Sequence, residues 1–215
     1  MVKAVIFDVD GTLLDTERIY VRAWKEAGTL FGYAISDAVL LRTRAISSLA
    51  ARKIYLEALG EDFPMDAVRE ARVRIAEALI AETADLCKPG AEALLDALQA
   101  RGLPVAAATS TARVHSKAHL IHAGLWERFD AVVCGDMVER GKPAPDIFLK
   151  AAQLLGAEPA DCLVVGDTPA DVKAASAAGM PVVLIPDLVP ANAETTALSL
   201  AVLQDLSQVL PLIGG

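Results

Sequence analysis

The chain has 215 residues, of which 54% are hydrophobic and 22% are charged, and its formal net charge at pH 7 is -8. This composition predicts a globular protein with a sizeable core, and the negative charge argues against nucleic acid or an anionic membrane surface as partner. No apolar run is long enough to cross a bilayer, and no signal-peptide pattern is present. Cys87, Cys134 and Cys162 fit no metal-binding pattern, so we expect buried free thiols in a reducing compartment. We therefore expect a soluble, cytoplasmic protein that is a monomer or a weak homodimer.

The first apolar run of the chain ends in two acids, Asp8 and Asp10, and Gly11 follows at once. Residues i and i+2 of a strand lie on the same face, so both carboxylates are expected at the carboxyl end of a first strand. That end is where ligands bind in open α/β sheets. Two close carboxylates repel each other unless a cation or a shared proton intervenes, which favours a hard cation such as Mg²⁺. Two solvated acids in a turn would give the same short pattern.

Helical periodicity then runs from Thr16 to about residue 84 without a strand signal. Glycines, a serine and a proline at suitable positions mark the ends of four helices. The pattern predicts helices from Thr16 to Phe31, from Ser36 to about Arg44, from Ser47 to Leu59, and from Pro64 to about Glu82.

From Lys88 onward, predicted strands alternate with predicted helices. The strands are expected at 104–108, 131–134, 162–165 and 181–185, and the helices at 89–102, 111–123, 145–155, 169–178 and within 196–209. Continuous apolar strands separated by helices imply a parallel sheet that is covered on both faces. We predict an α/β fold: a Rossmann-like parallel-sheet core of residues 1–15 and 85–215, with an inserted all-helical cap of residues 16–84.

Hydroxyl side chains follow the second predicted strand, at Thr109 and Ser110. A hydroxyl at the carboxyl end of a strand can bind a phosphate oxygen, and the helix N-terminus that follows adds free N–H groups. The alternative is that Ser110 or Thr111 only caps that helix.

A lysine and two further acids occupy comparable positions later in the chain. Lys142 lies between a glycine and a proline, so it is held on a stiff turn and can neutralise charge on a phosphate or a carboxylate. Asp167 directly follows an apolar strand, where an acid needs a cation or hydrogen-bond donors. Asp171 opens the next helix, where it could support a metal or only compensate the helix dipole.

Taken in order, these segments resemble the four motifs of the haloacid dehalogenase superfamily of phosphohydrolases. The matching strings are DVDGTLLDT, AAATST, GKPAPDIF and GDTPAD. The resemblance implies that Asp8 attacks phosphorus and that Asp10 is the general acid and base. It also implies that Thr109, with Ser110, and Lys142 bind the transferred phosphoryl group.

The resemblance further implies a bound Mg²⁺ held by the Asp8 side chain, the Asp10 backbone carbonyl and Asp167, with Asp171 in support. We expect a Mg²⁺-dependent phosphatase that hydrolyses a small phosphorylated metabolite, a sugar phosphate or similar phosphomonoester, through an aspartyl-phosphate. A helical insert between the first two motifs is typical of the subgroup that includes phosphoglycolate phosphatase, phosphonoacetaldehyde hydrolase and β-phosphoglucomutase.

The helical insert is expected to determine the substrate, with Tyr20, Arg42, Arg44 and Ile46 as candidate specificity residues. A phosphosugar mutase of the β-phosphoglucomutase type is the alternative function. It is disfavoured because Tyr20 replaces the histidine of that enzyme's first cap helix, and because the loop after the second helix differs. A non-catalytic binding relative is disfavoured because every motif acid and the motif lysine are present.

Overall fold

The computed structural model describes residues 2–44 and 48–214. Contacts divide the chain into two compact units, Met1–Leu14 with Cys87–Gly215, and Asp15–Leu86. The first unit contains strands and helices, whereas the second contains helices. Among the described residues, every helix is too short or too polar to span a membrane.

The unit Asp15–Leu86 is built from four helices whose apolar faces meet in one core. Tyr55 and Phe63 are buried in this core, and the rings of Trp24 and Tyr55 stack with their centroids 4.9 Å apart. Ser36 caps the second helix by accepting a hydrogen bond from the Val39 backbone N–H, as its sequence position predicts. The helices are α1 (Thr16–Leu30), α2 (Asp37–Arg42), α3 (Ser48–Leu59) and α4 (Met65–Glu82).

The other unit contains a six-stranded sheet in which every neighbouring pair is parallel. In chain order its strands are β1 (Ala4–Phe7), β2 (Val105–Thr109), β3 (Ala131–Cys134), β4 (Cys162–Gly166), β5 (Val182–Leu184) and β6 (Ala201–Val202). Their order in the sheet is β3-β2-β1-β4-β5-β6, so the first strand of the chain lies at the centre.

Five helices accompany the sheet: α5 (Ala91–Ala100), α6 (Arg113–His122), α7 (Asp146–Leu155), α8 (Pro169–Ala177) and α9 (Ala193–Leu198). All four residues of β1 have 0% exposure, although successive side chains of a strand point to opposite faces. Both faces of the central strand are therefore covered. On one face, Ile6 shares a core with Ile147 and Phe148 of α7. This arrangement confirms the predicted parallel α/β fold.

The thiols of this unit differ in exposure: Cys134 and Cys162 are buried, as predicted, whereas Cys87 is only half-buried. Burial raises the pKa of both Cys134 and Cys162.

The prediction of a last helix within 196–209 is wrong over most of that range. Helix α9 begins earlier, because the side chain of Asn192 accepts a hydrogen bond from the Thr195 N–H, and it ends at Leu198. The chain then forms β6, and the N–H groups of Leu200 and Leu203 donate to carbonyls of Val182 and Leu184 at 2.8 Å. The backbone carbonyls of β5 accept these hydrogen bonds, and the sequence of residues 199–203 gives no sign of such distant acceptors. Pairing with the sheet therefore overrides the helix propensity of these residues.

Candidate active site

The site lies at the carboxyl edge of the sheet, where three neighbouring strands end. Phe7, the last residue of β1, is in register with Ala107 of β2 and Val165 of β4, so the three strands end within two residues of the same level. Asp8 follows β1 directly, and its backbone N–H donates to the carbonyl of Val165 at 2.8 Å. Asp167 follows β4, so the two predicted acids project from adjacent strand ends.

Lys142 is the centre of the buried charges at this edge. Its side chain is 4% exposed, and its Nζ lies 2.5 Å from Oδ1 of Asp8 and 2.6 Å from Oδ1 of Asp171. The same Nζ donates to the carbonyl of Ala108 at 2.8 Å. It also lies 4.8 Å from the ring centroid of the fully buried Phe148. One ammonium thus joins all four sequence motifs.

The cluster changes the proton affinities of its members. Burial raises the pKa of Asp8 to about 8, against the opposing effect of the Lys142 ammonium, and the negative charge of Asp171 adds to the increase. Burial by itself would lower the pKa of Lys142, but the carboxylates of Asp171 and Asp8 raise it above its ordinary value. Lys142 therefore stays positively charged, and Asp8 holds a proton more strongly than an ordinary aspartate does.

The acids of the cluster suit a hard cation. One carboxylate oxygen from each of Asp8, Asp167 and Asp171 lies within 4.8 Å of the others, and all three residues are buried. Asp167 also accepts a hydrogen bond from the hydroxyl of Thr12 at 3.2 Å. Three buried carboxylates carry more negative charge than one ammonium neutralises. Mg²⁺, which prefers oxygen ligands, would balance the remaining negative charge. The donor set therefore fits this ion.

Asp171 both caps a helix and faces the charged cluster. It belongs to a capping box of α8: the Thr168 backbone N–H and hydroxyl donate to Oδ2 of Asp171, and the Asp171 N–H donates back to that hydroxyl. Oδ1 of Asp171 is the atom that faces Lys142. Helix capping therefore fixes the carboxylate that completes the charged cluster.

We expect Gly166→Ala to disturb this carboxylate. A Cβ at Gly166 would lie 2.6 Å from Cβ and 2.8 Å from Cγ of Asp171, and the capping box leaves that side chain little freedom to move. The overlap should lower the free energy of unfolding by about 1–3 kcal/mol, which urea denaturation measures. Gly141→Ala is the matched control, because its Cβ would meet nothing within 4 Å. Equal stability of the two variants would contradict the tight packing.

Asp10 lies against the end of β2 rather than within the three-acid cluster. Its Oδ2 accepts hydrogen bonds from the hydroxyls of Thr109 at 3.1 Å and Thr111 at 2.8 Å. Thr109 is buried, whereas Ser110 is exposed. The N-terminal cap of α6 is Ala112, so the alternative in which Ser110 or Thr111 caps that helix is wrong.

Sequence reasoning missed Thr12 and Thr111 as members of the site. Thr12 lies inside the first motif, two residues after Asp10, and that position was the available signal. Thr111 stands two residues after Thr109 in an irregular segment, so no periodicity indicated which way its side chain would face.

In the helical unit, Tyr20 lies beneath an arginine that the sequence did not single out. Cζ of Arg72 is 4.4 Å from the Tyr20 ring centroid and 5.7 Å from the Trp24 ring centroid. These distances are typical of cation–π contacts. The first of the candidate specificity residues is thus covered by a cation from α4.

The other candidate specificity residues have acidic partners or lie outside the described ranges. Arg44 forms an ion pair with Glu17, and the guanidinium of Arg42 lies 3.6 Å from Glu57. Ile46 lies outside the described residues. The charge of Arg44 is therefore balanced within the unit.

Fold and site together define an α/β protein that gathers carboxylates, a lysine and hydroxyls at the carboxyl edge of a parallel sheet. The family model for haloacid dehalogenase-like hydrolases matches residues 2–179. The chain belongs to this family, which confirms the resemblance of its four motifs.

Relatives and solved structures agree with this assignment. Protein CbbY of Rhodobacter capsulatus is 38% identical over 197 residues, which cover 86% of this chain and 85% of that protein. The fructose-1-phosphate phosphatase YqaB of Escherichia coli is 30% identical over 178 residues, which cover 82% of this chain and 92% of that protein. The crystal structure of a β-phosphoglucomutase from Clostridium difficile superposes with a TM-score of 0.77 at 25% identity, covering 97% of this chain and 93% of that chain.

Proposed function

We propose that this hydrolase is a Mg²⁺-dependent phosphatase that cleaves a small phosphomonoester through an aspartyl-phosphate on Asp8. The observation that carries the proposal is the buried Asp8 carboxylate, which faces Lys142 at 2.5 Å and shares a cluster with Asp167 and Asp171. A buried acid beside a fixed ammonium at a ligand-binding edge is suited to covalent catalysis on an anionic substrate.

In the proposed reaction, an oxygen of Asp8 attacks phosphorus while the bond from phosphorus to the leaving oxygen breaks. Lys142 neutralises charge on the phosphoryl group and on Asp8, and the Thr109 hydroxyl donates to a phosphoryl oxygen. The Asp8 side chain, the Asp10 backbone carbonyl and Asp167 would hold Mg²⁺, with Asp171 in support. When bound, the cation supplies neutralisation of the phosphoryl charge. Most of the acceleration would come from positioning and charge neutralisation.

Asp10 would serve both halves of the reaction. It gives a proton to the leaving alkoxide when Asp8 bonds to phosphorus. It then accepts a proton from the water that attacks phosphorus, and Asp8 is released as the carboxylate. The location of Asp10, outside the three-acid cluster and against two threonine hydroxyls, supports a role distinct from that of Asp8.

The similarity to a fructose-1-phosphate phosphatase supports a sugar phosphate or a similar metabolite as the substrate. The similarity to a β-phosphoglucomutase structure keeps a mutase as the second candidate. Against the mutase, Arg44 of the loop after α2 is ion-paired with Glu17 rather than left for a second phosphate. Cytoplasmic location and a monomeric or weakly dimeric state remain predictions.

The test is release of inorganic phosphate from a panel of phosphorylated sugars and other metabolites, with Mg²⁺ and after chelation with EDTA. We expect release that requires Mg²⁺. Isomerised sugar phosphate without free phosphate, seen by ³¹P NMR, would identify a mutase instead. Neither product from any panel member would favour a non-catalytic relative.

The raised pKa of Asp8 predicts that Mg²⁺ binding weakens as the pH falls. A protonated carboxyl is a poor ligand, so below about pH 8 the cation must displace a proton. The apparent affinity should then fall by up to about tenfold for each pH unit. Calorimetric titration of the protein with Mg²⁺ at pH 6 and pH 8.5 measures this change. Asp8→Asn removes the titrating group and should flatten the dependence, and an affinity independent of pH in the unaltered protein would contradict the prediction.

A further inference from the structure

Two hydroxyls converge on a single oxygen of Asp10. Both Thr109 and Thr111 donate to Oδ2, at 3.1 Å and 2.8 Å respectively, and the bond from Thr111 is the shorter. Because both donors meet the same oxygen, together they restrict the orientation of the Asp10 carboxylate.

The backbone around Thr111 is fixed on both sides. Its N–H donates to the hydroxyl of Thr109 at 3.0 Å, and its carbonyl accepts from the N–H of Gly135 at 3.2 Å. A Cβ at Gly135 would lie 2.3 Å from the carbonyl oxygen of Ser110, so the segment after β3 approaches this turn as closely as a glycine permits. The fold therefore holds the backbone of Thr111 in place, next to the carboxylate that its hydroxyl contacts.

The two threonines cannot both keep their bonds to Asp10 when a substrate is bound. A hydroxyl has one proton to donate, and the proposed function assigns the Thr109 proton to a phosphoryl oxygen. Thr109 would then release Asp10, and Thr111 would be the hydroxyl of this pair that still holds the carboxylate.

On this geometry, and resting on the proposed function, we propose that Thr111 is a positioning residue that orients Asp10 for proton transfer to the leaving group. Thr111 itself exchanges no proton with the substrate. In the first step, the proton on the Asp10 carboxyl moves to the leaving oxygen as Asp8 bonds to phosphorus and the phosphorus–oxygen bond breaks. In the second step, the Asp10 carboxylate takes a proton from the attacking water as the bond from phosphorus to Asp8 breaks.

The dependence of rate on the leaving group separates this role from phosphate binding. An aryl leaving group such as p-nitrophenolate departs without a proton, whereas an alkoxide requires one. The ratio kcat/KM reports the steps up to formation of the aspartyl-phosphate, which are the steps that the leaving group affects.

The experiment compares Thr111→Val with the unaltered protein on p-nitrophenyl phosphate and on the best alkyl phosphate of the panel. Val keeps the shape of Thr but lacks the hydroxyl. We expect kcat/KM to fall about 10- to 100-fold for the alkyl phosphate and less than about threefold for the aryl phosphate. Thr111→Ser, which keeps a hydroxyl, should retain most of the kcat/KM for the alkyl phosphate. Thr111→Ala should show the same loss as Thr111→Val.

Three results would overturn the inference. An equal fall for both substrates would make Thr111 a phosphate ligand, and unchanged rates for both would make it structural only. If kcat/KM for the alkyl phosphate fell in Thr111→Ser as well, the hydroxyl would not be the group that orients Asp10. Failure of the proposed function is seen separately, because the unaltered protein would then release no phosphate from either substrate, or Asp8→Asn would still release it.

Discussion

Asp8→Asn is expected to reduce phosphate release by about 10⁴-fold or more, because in the proposed reaction an anionic oxygen of Asp8 attacks phosphorus and the amide lacks that oxygen. The fold should survive the change. Because burial and the charge of Asp171 raise the pKa of Asp8, the folded state favours a neutral group at this position. A neutral amide should therefore be tolerated, and Lys142 keeps Asp171 as its partner. The melting temperature should therefore equal or exceed that of the unaltered protein. Single-turnover phosphate release and a thermal melt measure the two effects.

Two further variants sharpen the nucleophile test. Asp10→Asn should still form some aspartyl-phosphate, most readily from a substrate with a good leaving group, but should hydrolyse it slowly. Asp161→Asn is the matched control, because this half-buried acid pairs with the exposed Lys3 and not with the charged cluster, so its loss should leave the rate unchanged. Appreciable turnover by pure Asp8→Asn protein would remove Asp8 from the role of nucleophile.

Lys142→Met is expected to abolish activity and also to destabilise the fold. Met fills most of the volume of Lys but leaves the buried carboxylates of Asp8 and Asp171 without their cation. Removing one partner of a buried charge cluster costs about 3–5 kcal/mol of unfolding free energy. Because the two acids would otherwise have to ionise without a counter-charge, the loss should be greatest at high pH. Urea denaturation at pH 6 and pH 8 measures the loss of unfolding free energy and shows whether it is greater at the higher pH.

Mg²⁺ should restore part of the stability lost in Lys142→Met, since a cation at the three-acid cluster replaces the missing charge. The increase in melting temperature on adding Mg²⁺ should be larger for this variant than for the unaltered protein. Lys173→Met is the matched control: Lys173 is 42% exposed and lies 3.0 Å from Glu194, so its loss should change stability by less than about 1 kcal/mol. Equal losses of stability in Lys142→Met and Lys173→Met would contradict the role of Lys142 as the counter-charge of the buried acids.

The sequence predicted that Asp8, Thr109 and Asp167 lie together because the carboxyl ends of parallel strands meet at one edge, whatever the details of packing. Lys142 was predicted from its stiff turn and from the resemblance to the family motif. Most helix limits were predictable because they depend on the residues at the helix ends themselves. The glycine after α7, Gly156, adopts a left-handed conformation that ends the helix and that other residues rarely adopt.

Features that depend on distant partners could not be predicted in the same way. The pairing of β6 arises from acceptors on β5, and the bond from Thr111 to Asp10 joins residues that are remote in sequence. The cation over Tyr20 comes from Arg72, on another helix of its unit, and no local pattern marks that contact. Local patterns specify which residues lie at strand ends, whereas tertiary packing decides which side chains they touch.

The central position of β1 has a consequence for how the chain folds during synthesis. β1 is synthesised before the other strands of its sheet and pairs through Val5 with Val105 and Leu163, so its neighbours emerge only much later. The compact unit Asp15–Leu86 is synthesised in the interval and contains its own apolar core. Asp8 at the end of β1 is therefore made before its neighbours in the site, and its surroundings are completed only when β4 arrives. Folding of the sheet is dominated by contacts between residues remote in sequence, which predicts slow assembly relative to the helical unit.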